Sequence, residues 1–257
     1  MKRKIFALLI AVALILSLLA SCGQSKDTDS SFLEASSGTD VSAVSAEEKP
    51  QYPAEIELSD AEWTELNIFF SNFAEQHFDS YSSKTGDDEL AAFALFFNYY
   101  NNGTLFTHES GTIKGTDGDF NYNCYVPSKE ITSTIQRFFG RSYIPQAFGW
   151  RGSGSVNVLL KNEKFYFVIG DGESLTDFAQ VTNFADNGDK TFTAEITLYR
   201  DNSIGGGNLV NKEVYAPAQN WSQAIKDRCE KSSTTATAIV AKQKYNGKEV
   251  YRLLELK

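Results

Sequence analysis

The chain is short of the residues that do most enzyme chemistry: two histidines, three cysteines and one methionine in 257 residues. Each shortage removes options. A hydrolase of the triad type would have to recruit His77 or His108 as its base. His77 falls at the spacing of an apolar helical stripe, where a ring at the core edge is the ordinary role. His108 falls in a polar loop beside Glu109, where a solvated residue is the ordinary reading. Neither Cys124 nor Cys229 has a second Cys or a His at zinc-finger spacing, which argues against a structural zinc site. The single Met disfavours an adaptable Met-lined groove. Cations are also scarce, 24 Lys and Arg against 33 Asp and Glu, for a formal charge of −9. Binding to phosphate backbones needs clustered Lys and Arg, so nucleic acid is not an expected partner.

One long apolar run is present. Ile5 to Ala20 contains a single Ser, follows Lys2, Arg3 and Lys4, and closes on the small residues Ala20 and Ser21. That is the three-part build of a secretory leader, and it falls short of the roughly 20 residues of a spanning helix. Leu19-Ala20-Ser21-Cys22 resembles the lipobox of bacterial lipoproteins. In that family the cysteine is acylated and cleavage makes it the new N-terminus. The resemblance implies a signal peptide over residues 1–21, lipid on Cys22 and anchoring on the extracytoplasmic face of the cell membrane. At about 0.8 kcal/mol per buried methylene one acyl chain anchors marginally, whereas two or three hold durably. Losing the leader takes three positive charges from a chain of −9, leaving about −12.

Residues 22–54 are rich in Ser, Asp, Glu, Thr and Ala. Such a segment buries too little apolar surface to offset its ordering entropy and reads as a disordered tether. Phe32 and Leu33 are its only adjacent large apolar pair. Residues 55–257 are long enough for a single domain with a sizeable core. With Cys22 carrying lipid, Cys124 and Cys229 are a candidate disulfide outside the cell, worth about 4 to 5 kcal/mol in the chain-entropy picture. The alternative is two buried thiols acting as small hydrophobes.

Periodicity then orders the domain. Ser59-Asp60-Ala61-Glu62 is a capping box with Leu58 and Trp63 as its staple, and the helix it opens carries Trp63, Leu66, Phe70, Phe73 and His77 on one stripe. A second helix starts near Asp87 and Asp88, runs through Leu90, Phe93, Phe97 and Tyr100, and stops at Asn102-Gly103. Phe96 and Tyr99 widen its apolar face, which predicts burial on more than one side. A third helix begins at Pro127-Ser128, shows Ile131, Ile135 and Phe138, and ends at Gly140. Strands follow. Ser155 to Leu160 and Lys164 to Ile169 flank a hairpin-sized gap, Phe178 to Phe184 and Thr191 to Tyr199 flank Asp186-Asn187-Gly188-Asp189, and Thr234 to Tyr245 and Glu249 to Leu256 flank Asn246-Gly247. Trp221, Ile225 and Arg228 suggest a short helix after Pro217.

Helices before Gly140 and antiparallel strands after Ser153 predict an α+β fold, with a sheet of about six strands. The order of three helices and then a curved run of strands resembles the cystatin-like cone of the nuclear-transport-factor-2-like superfamily. The extra helix near Trp221 sits awkwardly in that plan.

Candidate chemistry thins out under inspection. Gly152-Ser153-Gly154-Ser155 lacks the last Gly of a nucleophile elbow and precedes a strand where that motif needs a helix. Asp117, Asp119 and Asn121 match the start of a calcium loop, but Tyr122 and Ser128 stand where the loop needs Gly and Glu. Asp171, Glu173, Asp186 and Asp189 fit turn chemistry. Gly205-Gly206-Gly207 has neither the Lys-Ser/Thr pair nor the helix of a phosphate cradle. No catalytic residue, metal ligand set or cofactor motif emerges. What remains is an excess of amphipathic aromatics, among them Tyr99, Tyr100, Trp150, Tyr166, Tyr199 and Trp221, of the kind favoured at binding surfaces. Of these, Tyr99, Tyr100, Trp150 and Trp221 are taken as candidate ligand-binding residues. The sequence therefore predicts a membrane-tethered module that binds a small ligand or peptide without catalysis. An interaction or assembly protein of the cell envelope is the alternative, and an enzyme the third and lesser reading.

Overall fold

The computed structural model describes residues 51–115, 118–149, 157–170, 176–202 and 212–257. The leader, the tether up to residue 50, Trp150 and the Gly-rich stretches at 152–155 and 205–207 lie outside the described residues. Within them the fold is α+β, with four α-helices and two antiparallel sheets of five and four strands.

A two-residue strand, β1 (Ala54–Glu55), leads into α1 (Asp60–Ala74). Both halves of the capping box form: Ser59 N–H donates to Glu62 Oε2 at 2.8 Å and Glu62 N–H donates back to Ser59 Oγ at 3.4 Å. The helix ends earlier than its apolar stripe suggested. His77 takes a left-handed φ of 52°, and Phe78 N–H reaches back to the Phe73 carbonyl at 3.0 Å, the closing bond of a Schellman turn. His77 thus leaves the stripe, and Phe78 fills the core in its place.

The second helix, α2 (Asp87–Asn101), carries three acidic residues in its first turn and no exposed side chain from Leu90 to Tyr100. It is buried on more than one side, as its wide apolar face requires. The chain then forms β2 (Thr107–Ile113) and β3 (Phe120–Pro127), an antiparallel hairpin inserted before α3 (Ser128–Phe139). The uninterrupted order of three helices is therefore broken, and His108 sits on an exposed strand instead of in a loop. Gly140 closes α3 at a φ of 64°, as expected. The three helices meet on aromatic rings: Phe73 stacks on Phe93 at 5.0 Å, and Phe97 meets Phe138 edge-on at 4.7 Å.

The remaining strands are β4 (Val158–Lys161), β5 (Lys164–Phe167), β6 (Asp177–Asp186), β7 (Thr191–Asp201), β8 (Cys229–Tyr245) and β9 (Lys248–Leu256), with α4 (Gln223–Arg228) before β8. They pair as the three hairpins read from the sequence, but they do not share one sheet. The five-stranded sheet runs β1-β6-β7-β8-β9 and the four-stranded sheet β2-β3-β5-β4. One continuous core joins both to the helices, from Cys124, Phe165 and Phe167 to Ile196, Val240 and Leu253.

Strand β6 is paired with β1 only at its far end, Ala185 and Asp186. Helix α1 serves the rest of that edge with side chains. Asn67 Oδ1 accepts from Val181 N–H at 2.7 Å, and Ser71 Oγ accepts from Ala179 N–H at 2.9 Å. Backbone groups that a neighbouring strand would pair are thus satisfied by a helix, which also closes the edge to other chains.

Candidate functional site

Helix α1 has a concavity on each flank. The larger is an open groove of about 370 Å3 between α1, the end of α3 and the β8–β9 hairpin. Its volume falls in the range of about 300–1,000 Å3 usual for small-ligand sites. The floor is apolar and largely aromatic: Ile68, Phe69, Phe138, Val250 and Tyr251. Phe69 stacks on Phe138 at 5.8 Å and lies 6.2 Å from Tyr251, so the floor is braced from below by the core. Ile68, 43% exposed, is one of the few large apolar side chains left in solvent.

The rim carries both signs of charge. Glu62 and Glu65 stand on the α1 wall, while Arg137, Lys242 and Lys248 stand opposite together with Glu249. Several of these are already occupied. Glu62 is held by Ser59, whose bonds keep its carboxyl below the usual range. Lys242 pairs with Glu249 at 3.1 Å and lies 5.8 Å from the Tyr251 ring, and the Glu249 bond holds its ammonium above the usual range. The Arg137 guanidinium rests 4.9 Å over Phe138. Burial raises the Tyr251 phenol, with Lys242 opposing and Glu62, Glu249 and Glu65 adding to the rise.

The smaller concavity, about 130 Å3, lies against the other flank of α1 and the β6–β7–β8 face. Phe70, Phe73, Phe78, Ala179, Ile196 and Leu256 line it, with Asp79, Thr234 and Lys257 among its polar neighbours. It is close in size to cavities of about 150 Å3 that take a benzene-sized group, too small for a whole metabolite.

The most perturbed carboxyl lies elsewhere. Glu75 continues the Asn67–Ser71 stripe beyond the end of α1, where burial pushes its carboxyl up to about 7 against the opposing bond from Tyr215. That phenol donates at 2.7 Å and is itself raised by burial and by Glu75. Gln180 and Asn67 extend the seam by bonding the carbonyls of Val214, Ala216 and Tyr215 at 2.7, 3.2 and 2.9 Å. A carboxyl poised near neutrality is an acid–base candidate. Glu75 lines neither concavity, however, and its bonds tie α1 to the segment before α4.

Among the described residues, the aromatics singled out from the sequence are not gathered at one site. Tyr99 and Tyr100 touch each other at the end of α2, and Tyr99 meets Phe106 edge-on at 5.5 Å. Trp221 is 7% exposed and anchors a second, smaller core with Phe178, Val214 and Ile225. Its indole N–H donates to the carbonyls of Ala216 and Val214 at 2.8 and 3.2 Å. That ring is structural. Cys124 and Cys229 are free thiols, which corrects the disulfide expectation. The physical reason is topological: Cys124 is buried in β3 of one sheet, whereas Cys229 opens β8 of the other. Burial pushes the Cys124 thiol up to about 11.

The turn readings of Asp186 and Asp189 hold, Asn121 lies within β3, and Asp117, Asp171 and Glu173 lie outside the described residues. Asp186 accepts from Gly188 N–H at 2.8 Å and Asp189 from Thr191 N–H at 3.0 Å. Asp119 pairs with Lys114, and Asn121 Oδ1 accepts from Thr112 Oγ at 2.8 Å across the β2–β3 hairpin. Among the described residues no three His, Cys, Asp or Glu side chains converge as a metal site, and no helix is long and apolar enough to cross a membrane. His77 Nδ1 lies 3.7 Å from Asp177, a carboxylate that Arg200 grips with two bonds of 2.7 and 3.1 Å.

Sequence reasoning missed most of the groove. Phe69 was visible beside the stripe of α1, but Arg137, Lys248 and Tyr251 join it only through packing of α3 and the last hairpin. No protein-family model, no curated protein and no solved structure matches this chain, so its function has to be argued from these features themselves.

Proposed function

We propose that this protein is a lipid-anchored, extracytoplasmic binding module that takes a small ligand or peptide in the α1–α3–hairpin groove. The observation that carries the reading is the groove: an aromatic floor within a rim of charged side chains, at a volume suited to a small molecule. Anchoring rests on the leader and on Cys22. A binding role without catalysis fits the position of Glu75, the most shifted carboxyl, outside the groove and inside a structural seam. Among the described residues the large apolar side chains left exposed are Tyr52, Ile68, Ile144 and Val168. Only Ile68 lies on a helix or strand, and it lines the groove, which favours a groove over the flat patch of an assembly protein.

The test uses the full chain extracted in detergent and a library of short peptides and amphipathic small molecules, screened by ligand-observed NMR. Hits should be lost in Ile68→Glu, which puts a charge on the floor at an exposed position and leaves the fold intact. Hits that bind Ile68→Glu as well as wild type place binding outside the groove and overturn the reading.

A further inference from the structure

If the groove is the binding site, the disposition of its charges narrows the ligand further. Six charged side chains line it, three of each sign: Glu62 and Glu65 on α1, Arg137 on α3, and Lys242, Lys248 and Glu249 on the hairpin. The hairpin neutralises one pair internally, Lys242 with Glu249 at 3.1 Å. Glu62 is committed to the N-terminus of its own helix through Ser59. Three charges are left: Glu65 on α1, Arg137 on α3 and Lys248 at the start of β9. Among the described residues none of these three side chains forms an ion pair. A carboxylate on one wall therefore faces two cations on the other, across a floor of Phe69, Phe138 and Tyr251.

We infer that the groove binds a zwitterion with an apolar side chain, a short peptide or amino acid with free ammonium and carboxylate groups. The ammonium sits on the α1 wall at Glu65, away from Lys242, which stays with its own partner Glu249. The carboxylate sits between Arg137 and Lys248, with the guanidinium already placed 4.9 Å over the Phe138 ring and so preorganised for a paired contact. The aromatic or branched side chain covers the floor. A purely anionic ligand would press against Glu65, and a purely cationic one against Arg137 and Lys248. A neutral apolar ligand would strip water from all three charges and return nothing. A small molecule that carries an anion, a cation and an apolar group in one frame meets every wall at once.

The test uses leucyl-phenylalanine with free ends, its N-acetyl derivative and its C-terminal amide, titrated calorimetrically into the full chain in detergent. The free dipeptide should bind at least about tenfold more tightly than either blocked form, the loss expected for one charge-assisted contact at an open site. Glu65→Gln should abolish the preference over the N-acetyl form and keep the preference over the amide. Arg137→Gln with Lys248→Gln should do the reverse. All three side chains are exposed, so the variants should fold as wild type does. Equal binding of all three dipeptides overturns the charge assignment and leaves the groove as a binding site. Failure of all three while neutral hits from the NMR screen still need Ile68 also overturns the zwitterion. Failure of all three with no groove-dependent hit at all overturns both readings.

Discussion

Glu75 is the carboxyl whose chemistry departs most from its ordinary state among the described residues. Its folded carboxyl titrates near 7 because it is buried, against 4.5 when free. Below about pH 4.5 it is protonated in both the folded and the unfolded chain, and its contribution to stability is complete. Between about 4.5 and 7 the unfolded chain releases a proton that the folded one keeps, so stability falls as pH rises. Above 7 the loss is complete, on the order of 3 kcal/mol for this group. Glu75→Gln should flatten that part of the pH–stability curve, measured by urea unfolding at pH 5 and pH 8. Tyr215→Phe removes the phenol that opposes the rise, so the falling limb should extend to higher pH. A curve unchanged by Glu75→Gln would assign the pH dependence to other groups. The thiols offer a second check at this scale. Because Cys124 and Cys229 are unbonded, a reductant should leave the melting temperature unchanged, and both should react with a thiol reagent once the chain is unfolded.

At the scale of elements, α1 does the work of a strand. Asn67 and Ser71 supply the bonds that β6 lacks on its outer side, and the same stripe runs on to Glu75. Asn67→Ala leaves the buried Val181 N–H without its acceptor and should cost about 2 to 3 kcal/mol. Hydrogen exchange should show the effect locally, with Val181 losing protection before the centre of β7 does. Equal loss across the sheet would mean that the edge has no separate stability. The start of the helix is a milder case. Ser59→Ala removes the capping box and should destabilise by about 1 kcal/mol in a thermal melt. It also frees Glu62 into the groove, so cation binding on that wall should strengthen.

For the whole molecule, the proposal to test is acylation of Cys22. Intact-mass analysis of membrane-extracted protein should show a chain that begins at Cys22 and carries acyl chains. Cys22→Ser should abolish the adduct and leave precursor or released protein. Unacylated wild type would remove the lipoprotein reading, though not the groove. A folded unit with a strongly acidic balance, held by lipid, would meet small external solutes more readily than anionic polymers.

Much of the local structure was legible. The capping box at Ser59, the acidic start of α2, Gly140 after α3 and the turns at Asn187-Gly188 and Asn246-Gly247 are signals between near neighbours, and the chain folds there as they direct. The end of α1 was hidden because a His, not a Gly, holds the left-handed position. The β2–β3 hairpin was hidden because β2 is an edge strand with most residues in solvent, so it shows no alternation to read. The division of the strands between two sheets depends on β3 choosing β5 across the whole of α3, a long-range pairing that no local pattern encodes. The groove belongs to the same class. Glu65, Arg137, Lys248 and Tyr251 lie on three elements far apart in sequence, and only the packing of helices against the last hairpin sets them around one floor. Sequence by itself determined the fold class and the hairpins, because those follow from composition and short-range sterics. Tertiary structure decided the partners of each edge, the state of the thiols and the place of the binding groove, because burial and charge pairing depend on which distant segments meet.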